Sequence, residues 1–151
     1  MIKKIAQFLA FLVIASGLLT NASAQSTAGS KVVYHIDDAE VQGIKGLRNI
    51  RNHLDTAPST TIIVVTHANG VDLLMEGVKD KKNNIEYAPL VSALKSRGVK
   101  FEVCEITLKN RNLKKDQFIL DADFTPSGVV RVADLQYKED RKSTRLNSSH
   151  T

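Results

Sequence analysis

The chain is 151 residues long, with a formal net charge of +5, 42% apolar and 25% charged positions. That is enough for one domain and too little for two of ordinary size, and too apolar for a disordered chain. The single cysteine excludes an internal disulfide framework and any zinc site built from several cysteines.

Residues 1–24 read as a secretory signal. Lys3 and Lys4 open it, Ile5 to Leu19 form a short apolar run, and Ala22-Ser23-Ala24 offers the small residues that a signal peptidase prefers. The run is short of the roughly 20 apolar residues a membrane span requires. Cleavage is therefore expected, leaving no stable membrane span and an exported, periplasmic mature chain. Residues 25–30 are small and polar and read as a flexible leader.

At the other end, Asp140-Arg-Lys-Ser-Thr-Arg-Leu-Asn-Ser-Ser-His150 resembles the translation of a common short-read sequencing adapter. Residues 139–151 are accordingly set aside as an artefactual, disordered tail, together with the glycosylation-like Asn147-Ser-Ser within it. The overall basic character, with a sequence pI near 9.4, owes much to the two ends. Setting aside the +2 of the signal and the +2 of the tail from Asp140 onward leaves a body of +1. Such a body lacks the electrostatic footprint of a nucleic-acid-binding protein.

Between these ends the pattern alternates. Lys31 to Asp37 reads as a strand, and Val41 to Leu54 as a helix with Ile44, Leu47, Ile50 and Leu54 on one face. Thr61 to Thr66 is a continuous apolar run, the mark of a strand covered on both faces in a parallel sheet. Val71 to Val78 carries a short helical pattern, Lys79 to Asn84 a polar loop, and Tyr87 to Leu94 a helix closed by Arg97 and Gly98. Val99 to Glu105 is a further strand, Thr107 to Asp116 a short helix or ordered loop, and Phe118 to Phe124 holds a short strand. A last helix follows Pro126-Ser127. The alternation predicts a three-layer α/β/α fold with a mainly parallel sheet, and the tail begins where a last strand is expected, so the sheet should lack one.

Open parallel sheets bind ligands beyond the carboxyl ends of their strands. The first such end carries His35, Asp37 and Asp38, the second His67, Asn69 and Gly70, the third Cys104 and Glu105. Strand alternation puts Cys104 on the face of Lys100 and Glu102, opposite Val99, Phe101 and Val103. A thiol just before a helix start is stabilised as thiolate by free backbone N–H groups, with His67 as a nearby proton acceptor or cation. A buried free cysteine is equally compatible with a purely structural role. His35 in mid-strand suits a hydrogen-bonded core residue as well as a ligand. Asp37, Asp38 and Asn69-Gly70 suit capping and turns, although the latter's N–H groups could cradle an anion. His35, His67 and Cys104 lack ligand-like local spacing, so no metal and no cofactor are assigned.

Four segments carry a family resemblance: Val32-Val-Tyr-His-Ile-Asp-Asp38, Val64-Val-Thr-His-Ala-Asn-Gly70, Gly98 to Lys109, and Pro126-Ser-Gly-Val-Val130. In order and spacing they resemble the DsrE/DsrF-like (YchN-like) proteins, in their exported branch, over residues 31–138. The resemblance implies a five-stranded parallel sheet between helical layers, and homo-oligomers, trimeric or hexameric. It also implies a sulfur relay in which a cysteine after the third strand carries a persulfide between a sulfur-donor and an acceptor protein. Cys104 falls on that position. Cys104 and His67 are therefore the expected catalytic pair, with His35, Asp37, Asn69 and Gly70 binding the ligand. The alternative is a non-enzymatic small-ligand or partner-binding module with a structural cysteine.

Overall fold

The computed structural model describes residues 29–147, with side chains to 138. The signal-like segment 1–24, residues 25–28 of the leader and residues 148–151 lie outside these.

Strand β1 (Lys31–Asp38) runs into helix α1 (Ala39–Thr56). The start of α1 is fixed by side chains. Asp38 accepts from the Val41 N–H at 3.0 Å, while Gln42 Oε1 accepts from the N–H groups of Asp37 and Asp38 at 2.9 and 3.2 Å. Reciprocal bonds of this kind satisfy the donors that a helix start leaves open. Gly43, Leu47, Ile50 and Leu54 are the buried stripe of α1. Removing Leu47 or Leu54 side-chain atoms from such a position costs about 2–5 kcal/mol.

Strand β2 (Thr61–Asn69) is tied at its start to Ser30, the last residue of the expected leader: the Thr61 N–H donates to the Ser30 carbonyl at 2.9 Å. Val64 and Val65 are both fully buried, one on each face, as the unbroken apolar run requires. The segment after β2 differs from the expected α-helix. Gly70–Leu74 is a 3-10 turn, and the polar loop is part of a small antiparallel ribbon of β3 (Lys79–Asp80) and β4 (Ile85–Glu86). Five residues with Val71, Leu73 and Leu74 all buried are too short and too apolar around their circumference for a surface α-helix.

Helix α2 (Tyr87–Lys95), strand β5 (Lys100–Cys104), helix α3 (Glu105–Arg111), strand β6 (Ala122–Thr125) and helix α4 (Gly128–Asn147) complete the described chain. Helix α4 extends to Asn147, into the segment set aside as tail.

The main sheet has four parallel strands in the order β1-β2-β5-β6. Each step moves the same way across the sheet, so right-handed crossovers keep α1 and α2 on one face. There they enclose the core of Ile50, Val64, Tyr87, Phe101 and Val103. Helix α4 lies on the other face, against β2, β1 and β5. The fold is thus α/β with three layers. The chemistry described next lies under the start of α4.

Candidate functional site

Cys104 is the last residue of β5 and the N-cap of α3. Alternation places it with Glu102 on the α4 face, as the sequence indicates. That face is not open, however: α4 covers it, and Cys104 is 4% exposed. What remains open is a cleft of about 430 Å³ lined by His67, Asn69, Cys104, Thr107, Arg111 and Ser127, among others.

Parallel pairing lines up the strand ends. β1 and β5 both pair with β2, bringing His35, His67 and Cys104 to the same face of three neighbouring strands. The rings of His35 and His67 lie 4.5 Å apart. Gly128 reports how close His67 and Cys104 come: a Cβ built on it would lie 3.2 Å from the Cβ atoms of both. A side chain at this position would have to push the His67 and Cys104 Cβ atoms back by a few tenths of an ångström, so the glycine favours the close approach of the first turn of α4.

That approach has an electrostatic result. Burial raises the Cys104 thiol pKa. The backbone N–H groups of Gly128, Thr107 and Ile106 and the hydroxyl of Thr107 act oppositely, and the outcome is a thiol below its ordinary value. The donors come from the first turns of two helices, α3 and α4. Thr107 is poised for this: its oxygen accepts from the Ala68 N–H at 3.0 Å, leaving the hydroxyl hydrogen for the sulfur. The imidazole of His67 is held below its usual pKa by desolvation and by the neighbouring His35 charge, with Asp37 acting the other way.

The end of β2 is shaped to this purpose. Ala68 has φ +49°, a left-handed conformation that costs a residue with a Cβ about 1–2 kcal/mol. The β1–β2 register shifts at this point. The strained residue turns its N–H to Thr107 and its carbonyl to Arg111 Nη1 at 3.1 Å, tying β2 to α3. Arg111 is held in turn by Asp72 at 2.8 Å.

Of the residues expected from sequence, the structure brings Cys104, His67 and Asn69 to the cleft and stacks His35 behind His67. Asp37 acts on His67 only through its charge. Gly70 is not among the residues lining the cleft: it is buried, and a Cβ there would lie 2.1 Å from the Ile36 carbonyl oxygen, so it packs closely onto β1. Among the described residues, no group of three or more His, Cys, Asp or Glu is arranged to hold a metal ion. Sequence reasoning missed Thr107 and Gly128. The Cys-x-x-Thr spacing and the glycine opening the last helix were the available signals.

The fold and site define a three-layer α/β protein with a cysteine at the carboxyl rim of a parallel sheet. The chain belongs to the DsrE/DsrF-like family, whose profile matches residues 16–142. It is similar to a structure described as a protein of unknown function, MTH1491, from Methanobacterium thermoautotrophicum. That likeness has 30% identity and a TM-score of 0.65, covering 73% of this chain and 94% of the other. The YchN protein from E. coli shares the fold at 12% identity and a TM-score of 0.58, covering 72% and 92%. No curated protein matches the chain.

Proposed function

We propose that this protein is a periplasmic sulfur carrier that handles sulfane sulfur at Cys104. The observation that carries the reading is the convergence of backbone N–H groups from α3 and α4, with the Thr107 hydroxyl, on one thiol at an open cleft. Membership of the DsrE/DsrF-like family and the signal-like leader support it.

The chemistry needs no net redox change. The Cys104 thiolate attacks the terminal sulfur of a donor persulfide, R–S–SH. The donor S–S bond breaks, its electron pair leaves on R–S⁻, and Cys104–S–SH remains. An acceptor thiolate then attacks that terminal sulfur and releases the Cys104 thiolate. The N–H groups that favour the thiolate make it both available as nucleophile and competent as leaving group. His67, neutral near pH 7, accepts a hydrogen bond from the S–SH proton, which stays on the outer sulfur through both transfers, and Asn69 at the cleft wall orients that sulfur. Donor and acceptor are proteins or small thiols reaching the cleft, and the carrier works as a homo-oligomer, a trimer or hexamer.

Mass spectrometry of the protein after incubation with a sulfane donor tests this. A gain of one sulfur atom on the Cys104 peptide, removed by a thiol reductant, is expected. No gain under conditions that load a known carrier contradicts it.

One observation favours a second reading. Cys104 is 4% exposed, as a structural cysteine in a non-enzymatic binding module would be. In that case Cys104→Ser lowers stability and leaves ligand or partner binding unchanged.

A further inference from the structure

Glu102 is a buried carboxylate, 7% exposed, on the same face of β5 as Cys104 and two residues before it. It receives the fork of Arg131: Nε to Oε2 and Nη2 to Oε1, both at 2.7 Å. Arg131 stands three residues after Gly128, so about one helical turn separates the residue that binds Glu102 from the residue whose N–H reaches the sulfur. The fork is planar and rigid and accepts only a narrow set of positions. A buried pair of this kind contributes little net stability but defines geometry. Helix α4 runs back over β5 from the sheet's carboxyl rim. A fixed contact at Glu102 therefore fixes the height of its first turn above Cys104.

We propose that the Glu102–Arg131 pair is a positioning device that holds the N-terminus of α4 against the sulfur of Cys104. The proposal rests on the thiolate reading of Cys104. Neither residue touches the reacting sulfur. Both act through Gly128. The pair also cancels a charge: a bare Glu102 carboxylate beneath the site would oppose a thiolate, and Arg131 neutralises it. The other charged or titratable groups around the thiol are His67 and, behind it, His35 and Asp37, together with Glu105, the next residue in the chain, which is paired with Lys115. Arg111, paired with Asp72, belongs to α3. Asp123 stands beside Glu102 on β6, and Asp134 lies one turn beyond Arg131.

The test is the thiol titration of Cys104, followed by ultraviolet thiolate absorbance in the full chain, for wild type, Arg131→Met, Arg131→Lys and the double variant Glu102→Gln/Arg131→Met. The double variant removes the fork together with both charges and so isolates the positional effect, whereas Glu102→Gln alone would leave the Arg131 charge, which favours the thiolate. The wild-type midpoint is expected below that of a free cysteine. The double variant should raise it by about one unit, the size of one lost donor to the anion. Arg131→Met should raise it further, because the carboxylate is also exposed to the site. Arg131→Lys, which keeps the charge and loses the fork, should fall between Arg131→Met and wild type. A pair that only stabilises the fold would lower thermal stability and leave the midpoint in place. Folded double-variant protein titrating as wild type overturns the proposal while the thiolate stands. A wild-type midpoint at the free-cysteine value overturns the thiolate reading itself and the positioning role with it.

Discussion

The imidazole rings of His35 and His67 stack with 4.5 Å between centroids and 33° between planes. Two rings this close resist carrying two charges, and burial adds to the effect on His67. His67 is therefore a neutral acceptor at pH values where an isolated histidine is already partly charged.

This fixes a sign for the pH dependence of stability. The folded state binds a proton at His67 less readily than the unfolded chain does. As pH falls through the ordinary histidine range near 6.5, the unfolded state takes up the proton first, so stability declines until pH passes below the folded value. His67→Gln should flatten this segment of the curve. Urea unfolding between pH 5 and pH 7.5 checks it, and equal slopes in the two proteins would contradict it.

Thr107 has two duties, to the Ala68 N–H and to the Cys104 sulfur. Thr107→Ser retains both. Thr107→Val removes the acceptor of the half-buried Ala68 N–H bond, at a cost of about 1 kcal/mol, and also raises the thiol pKa. The expected outcome is slower alkylation of Cys104 at neutral pH in the valine variant and wild-type rates in the serine variant.

The left-handed Ala68 predicts an asymmetric response. Ala68→Gly relieves the backbone strain but loosens the unfolded chain, so stability should change by less than about 1 kcal/mol. Ala68→Val places a β-branched side chain in the same conformation and should cost about 2 kcal/mol. Chemical denaturation measures both.

Gly70 is held by space. With an added Cβ overlapping the Ile36 carbonyl oxygen at 2.1 Å, Gly70→Ala must push β1 from β2. A loss of about 3 kcal/mol is expected, with the thiol chemistry of the folded fraction unchanged because the residue lies outside the cleft.

Much of this architecture is legible in the residues. The unbroken Ile62–Val65 run announces a strand buried on both faces, and the stripe Leu47, Ile50 and Leu54 announces the helix that covers one of them. The site residues were found from strand ends because parallel topology gathers such ends at one rim. Periodicity cannot reveal the close approach of α4. The distance from Gly128 to Cys104 depends on contacts made across 24 residues of sequence, and the left-handed turn at Ala68 is imposed by its ties to Thr107 and Arg111. For the same reason Gly70, reasonable as a turn glycine, could not be recognised as a packing glycine.

The claim on which the function depends is that Cys104 in the folded protein is a reachable thiolate. Its direct test is the rate of iodoacetamide alkylation of Cys104 as a function of pH, in native and in urea-unfolded protein. The expected result is a native profile with its midpoint displaced to lower pH, and native labelling that exceeds unfolded labelling below neutrality. Native protein that resists alkylation at every pH, or that follows the unfolded profile, would contradict it.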